Sequence, residues 1–114
     1  MAFGTRVRFE ELREVAFGGI GAAYAAVGGS TSDHTRLVAF YNATDKDVYI
    51  SLNGVTNHLR IASGSGQVLD LTANKVRDDG LFVDLGTVFY VKRASGAPTS
   101  GTLWIQVMYA NGGV

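Results

Sequence analysis

The sequence predicts an all-β fold: an antiparallel β-sandwich, jelly-roll-like, of about 6–9 short strands with an extended N-terminal arm. Three observations predict it. Short runs of β-branched and aromatic residues recur about every ten residues, cut by turn chemistry. Glycine is frequent, at 15 residues, while proline occurs once. No long stretch carries a 3.6-residue apolar period. Strand spacing alone leaves a small barrel open beside the sandwich. The chain of 114 residues makes one folding unit, large enough to bury on the order of 65% of its extended surface.

Residues 5–10 alternate, with Val7 and Phe9 opposite Arg6 and Arg8, which suits a short strand. Residues 12–17 begin with charged groups that a helical turn would accept. Val15, Ala16 and Phe17 then run into Gly18, Gly19 and Gly21, each costing a helix about 1 kcal/mol, so extended chain is expected. Residues 22–27 give another short strand, and 28–33 read as loop. This front segment is poor in large side chains. It either adds strands to the sheet that follows or lies as an arm against a neighbouring subunit, where small residues permit close backbone approach. The sequence therefore divides into a Gly/Ala-rich segment, 1–34, and a sandwich domain, 35–114. Removal of residues 1–30 is expected to leave that sandwich folded.

Residues 36–71 carry the clearest pattern and read as four consecutive strands. Leu37, Ala39 and Tyr41 alternate with Val38, Phe40 and Asn42. After a turn at 43–46, Val48, Ile50 and Leu52 share one face and Tyr49 and Ser51 the other. Asn53-Gly54 reverses the chain. Leu59 and Ile61 share a face, and Ser63-Gly64-Ser65-Gly66 punctuates before a strand at 68–71. Residues 72–80 are polar and close on the turn signal Asp78-Asp79-Gly80, and 81–83 form a short strand at best. Two further strands, 87–93 and 102–109, are expected to pair as a hairpin across the loop 96–101. On the last, Leu103, Ile105, Val107 and Tyr109 oppose Trp104, Gln106 and Met108. Apolar groups on both sides imply one face in the core and the other at least partly covered. Few lysines and a single proline give little edge protection, so closed rings or trimers are expected over an isolated monomer.

Ten basic and ten acidic residues leave no net charge. Without clustered Lys and Arg, binding to a nucleic acid through its phosphates is not expected. The absence of cysteine removes disulfides and thiolate metal sites together and fits assembly in a reducing cytosol. No apolar run is long enough to span a membrane, and no signal-peptide order opens the sequence, so a soluble, non-exported protein is expected.

No catalytic, cofactor or metal residues are expected. His34 and His58 have no metal-ligand spacing, although His58 could meet Asp45 or Asp47 across a hairpin. Asp45 and Asp47, and Asp78 and Asp79, are dense carboxylate pairs, but no calcium-loop pattern is completed and they read as turn residues. Ser63 and Ser65 lie in a flexible turn and not in a nucleophile elbow. Gly19-Ile20-Gly21 and Gly64-Ser65-Gly66 lack the third glycine of a dinucleotide site. Asn42-Ala43-Thr44 is formally a glycosylation sequon, read here as a turn entrance. Tyr24, Tyr41, Tyr49, Tyr90, Tyr109 and Trp104 could form a stacking platform for carbohydrate. On strands such residues more often make cores and interfaces, and Phe17, Tyr24, Trp104, Met108 and Tyr109 are the candidate subunit interface.

Several stretches carry a resemblance: the opening at 13–18, residues 42–51, 53–58, 66–74 and 86–92, and 97–101 before the terminal strand. Together they resemble a group of small tailed-bacteriophage virion proteins, over residues 1–110. The resemblance implies a non-enzymatic particle component in many copies, assembled in the host cytoplasm, with itself and the major capsid protein or neck and tail proteins as partners. It is compatible with a minor capsid or cement (decoration) protein stabilising the capsid lattice as a homo-oligomer, and with a head-to-tail connector or tail ring component. A DNA-lining ring would carry a one-signed lumen, and no such stripe is readable, which favours the capsid exterior. A carbohydrate-binding β-sandwich module is the alternative of another class.

Overall fold

A computed structural model gives the fold, described for residues 6–32, 35–70 and 86–111. Among the described residues nine strands form in chain order: β1 (Arg6–Phe9), β2 (Arg13–Ala16), β3 (Ala25–Val27), β4 (Thr35–Asn42), β5 (Val48–Ser51), β6 (Leu59–Ile61), β7 (Ser65–Asp70), β8 (Phe89–Arg93) and β9 (Thr102–Asn111). One 3-10 turn, Phe17–Gly19, follows β2. The expected strand at 81–83, the turn signal at 78–80, and His34 lie outside the described residues.

All pairings are antiparallel and fall into two sheets. The first has β9 and β4 at its centre, β7 on one edge, and β1 and β2 end to end along the other; the second runs β3-β8-β5-β6. The pairs β2 with β9, β3 with β8, β4 with β7, and β5 with β6 nest one inside the next along the chain. That nesting is a long two-stranded ribbon. Wrapping it lays β4 against β9 and β5 against β8, and the result is a sandwich with jelly-roll strand order.

Alternation decides what enters the space between the sheets. Val38, Phe40, Leu103, Ile105 and Val107 from the first sheet meet Val48, Ile50, Ile61, Phe89 and Val91 from the second, with Ile20 and Val27 completing the core. Phe40 and Phe89 cross the gap edge to face, with ring centroids 5.9 Å apart.

The front of the chain adds strands to both sheets. β1 and β2 share one edge of β9, but the step from Phe9 to Arg13 is matched only by that from Met108 to Ile105, so this edge carries one extra residue, a bulge. There the Arg13 guanidinium turns inward over the Phe89 ring, 5.6 Å from its centroid. Its Nη2 donates to Glu10 Oε1 (2.7 Å) and to the Gly29 carbonyl (3.2 Å). Glu10 Oε2 in turn accepts the Ser32 amide. An ion pair thus ties the bulge to the loop between β3 and β4. The expectation that residues 31–114 fold alone does not survive this arrangement, since Ile20 and Val27 belong to the core and Val15 packs on it.

Two local expectations are also corrected. The strands at 89–93 and 102–111 are not a hairpin: β8 pairs with β3 and β5, and β9 with β1, β2 and β4. The loop between them crosses from one sheet to the other. The turn after β6 is tighter than the Ser-Gly repeat suggested, because Gly64, at φ +74°, completes it alone and Ser65 and Gly66 already belong to β7. Gly66 is glycine for packing: a Cβ there would lie 2.9 Å from the Phe40 carbonyl oxygen and 3.4 Å from the Tyr41 ring.

Candidate functional site

Side chains on the outer face of the first sheet come from residues opposite in parity to the core. From β4 these are Leu37, Ala39 and Tyr41, and from β9 Trp104, Gln106 and Met108. The register sets Tyr41 beside Trp104, Ala39 beside Gln106 and Leu37 beside Met108. β7 places Val68 next to Ala39, and β1 places Phe9 next to Met108. Phe9, Tyr41 and Val68 are 62%, 46% and 58% exposed, high values for side chains of this size and polarity. Tyr41 and Trp104 stack with centroids 5.8 Å apart and planes within 3° of parallel, and Trp104 Nε1 donates to Glu14 Oε1 at 3.3 Å. The result is a largely apolar, aromatic outer face with Gln106 at its centre, Glu14 on the β2 edge and the register position of Asp70 at the end of β7.

The outer face of the second sheet has a different chemistry. Register aligns Lys92 with Tyr49 and Tyr49 with Arg60 across β8, β5 and β6. Tyr24 completes the row ahead of β3. The Lys92 ammonium lies 4.8 Å from the Tyr24 ring centroid and 5.8 Å from that of Tyr49, and the Arg60 guanidinium 5.7 Å from Tyr49. Cations thus alternate with rings, a self-satisfied arrangement worth roughly 0.5–1 kcal/mol per contact. The Tyr24 hydroxyl donates to Asn57 Oδ1. Burial, and then the neighbouring Tyr49 phenol, raise the Tyr24 phenol above its ordinary range.

The five candidate interface residues therefore separate. Trp104 and Met108 lie together on the first outer face, and Tyr24 lies on the second. Phe17 stands in the 3-10 turn after β2, 40% exposed, with its amide donating to the Gly101 carbonyl. Tyr109 has the inward parity, opposite Thr35, and is half-buried. Phe9, Leu37, Tyr41 and Val68, which share the face with Trp104, were outside the sequence-derived set. The alternation that placed Leu37, Ala39 and Tyr41 on one side of β4 is the signal that could have included two of them.

The polar candidates take structural positions. His58 meets neither Asp45 nor Asp47; its Nδ1 accepts the Leu52 amide at 3.0 Å and shapes the loop between β5 and β6. Asp45 accepts the Thr99 hydroxyl and, at 2.8 Å, the Thr99 amide, and these bonds, the hydroxyl first, hold its carboxyl below the ordinary range. Asp47 is lowered likewise, first by the Arg60 guanidinium at 2.8 Å and then by the Ser63 amide at 2.9 Å. Asn42 is fully buried. Its Nδ2 donates to the carbonyls of Lys46 (2.8 Å) and Ile61 (3.0 Å), and its Oδ1 accepts the Thr44 amide (3.0 Å). The formal sequon is thus an internal turn brace. Ser63 Oγ donates to the Thr44 carbonyl at 2.6 Å.

Among the described residues no three His, Asp or Glu side chains converge as metal ligands, and no helix is long and apolar enough to cross a membrane. A shallow cleft of about 390 Å³ lies at the β1–β2 bulge, lined by Glu10, Glu11, Leu12, Arg13, Glu14, Gly28 and Gly29. It is the outer side of the Arg13–Glu10 brace. No family model matches the chain, and no curated protein or solved structure matches it.

Proposed function

We propose that the chain is a non-enzymatic structural protein of a tailed-bacteriophage particle, a minor capsid or cement protein that acts as a small homo-oligomer and docks on the shell through the outer face of its first sheet. The observation that carries the reading is that face: Phe9, Leu37, Ala39, Tyr41, Val68, Trp104 and Met108, with Gln106 among them, form a largely apolar surface on a sheet side that a lone sandwich would fill with polar residues. Spanning four strand positions and the five residues of β9 from Trp104 to Met108, it covers on the order of 300 Å². A stable binary interface needs roughly 800 Å² per partner. A single contact of this size is weak, and a lattice that presents many such contacts turns weak docking into high occupancy. Jelly rolls serve viral shells and sugar-binding domains alike, so strand order does not choose between them. Against the carbohydrate reading, Tyr41 and Trp104 each have one ring face against the other, and Lys92 lies over both Tyr24 and Tyr49. Placement as a neck or tail ring shares the same docking mechanism.

Quantitative mass spectrometry of virions purified from the phage that encodes the chain tests the reading. A fixed ratio to the shell subunit, at many copies per particle, is expected. Absence from the particles, with glycan binding by the free protein, would overturn it.

A further inference from the structure

A β-sandwich leaves four sheet edges, and three of the four described here carry recognised protection against strand addition. β3 and β6 are three residues each, the shortest strands among the described residues, and β6 bears Arg60 at its centre. The β1–β2 edge is broken by its bulge and pinned by the Arg13–Glu10 pair. β7 is different. It runs six residues in unbroken register with β4, has neither Lys, Arg nor Pro, and puts Val68, 58% exposed, on its outward side. Among the described residues nothing pairs with its far edge.

We propose that β7 is the self-association strand, and that a second copy of this chain adds its own β7 antiparallel to it across a two-fold axis. The occupant follows from the inventory of edges. One open edge used twice gives a closed, isologous pair, whereas a ring by strand addition needs two different open edges, which the described residues do not offer. The register follows from parity. Cross-strand neighbours of an antiparallel pair share a face, so an axis through Val68 sets Val68 against Val68 outside and Gln67 against Leu69 inside. This pairing also joins the two apolar outer faces into one surface of about twice the area. It uses the backbone edge and holds whether or not that surface docks on a particle, so its failure would leave the docking proposal standing.

Sedimentation of the full chain from low to high micromolar concentration tests it, together with Val68→Lys and Val68→Glu. The wild type is expected to show a monomer–dimer equilibrium. Each variant should keep the wild-type circular dichroism spectrum and weaken the dimer by about tenfold or more, because like charges meet at the axis. An equimolar mixture of the two should recover a heterodimer. A wild-type chain that stays monomeric, variants that dimerise as the wild type does, or a mixture that shows no recovery would each overturn the β7 pairing.

Discussion

Gly101 shows how much one residue can hold. It sits at φ +94°, and a Cβ on it would lie 2.1 Å from the Ala43 carbonyl oxygen and 2.7 Å from the Thr44 Cα, so the loop entering β9 is pressed on the turn that leaves β4. Both the backbone conformation and the contact require glycine. Gly101→Ala is expected to destabilise the fold by about 3 kcal/mol or more, measured as a shift in the urea midpoint at unchanged m value. By contrast, nothing lies within 4 Å of a Cβ built at Gly18, and Gly18→Ala should be close to neutral in the same assay. Composition showed the chain to be glycine-rich, but not which glycine has backbone behind it, since that contact joins positions 58 residues apart in the sequence. Asn42 was hidden in the same way. Its four-residue reach to Lys46 is local, but the bond to Ile61 depends on how β6 packs.

At the scale of elements, the turn at residues 43–47 staples three loops together. Asp45 holds Thr99 of the β8–β9 connection, and Asp47 holds Arg60 of β6 and Ser63 of the next turn. Both carboxyls are held below their ordinary range, so the native state favours their charged forms. Their contribution is therefore present above the ordinary carboxylate pKa, about 4, and is lost as pH falls through the lowered native values. The urea midpoint should be level near neutral pH and decline below about pH 4, with the decline flattened in the double variant Asp45→Asn/Asp47→Asn. An identical acid slope in that variant would contradict the assignment. The strands themselves were legible. Alternation separated the two faces of β4, β5 and β9, because a half-buried strand must write its two faces into its sequence, and packing then chose which of them turned inward. The pairing was not legible between β8 and β9: turn residues at 96–101 report that the chain changes direction, while the choice of sheet is made by β2 and β4, which take up both sides of β9.

Across the whole molecule, the two outer faces differ in a way that strand patterns only half disclose. Tyr49, Lys92 and Arg60 satisfy one another on the second sheet, while on the first Trp104 and Tyr41 stack on each other and Phe9 and Val68 stand exposed. The sequence pointed to Trp104, Met108 and Tyr109 together on the last strand, and only the first two lie on this surface. It could not add Phe9 and Val68, which reach the same surface only after β1 and β7 take their places around β9 and β4. Trp104 is the only tryptophan in the chain, and it stands on that surface, stacked on Tyr41, which makes it a built-in reporter of docking. The protein carrying 5-fluorotryptophan, added to particles that lack it, gives a single fluorine resonance whose solvent exposure can be read free and bound. Docking through the first sheet predicts that the resonance shifts and loses its solvent-isotope effect on binding. A bound protein whose Trp104 stays as open to water as in the free chain would contradict it.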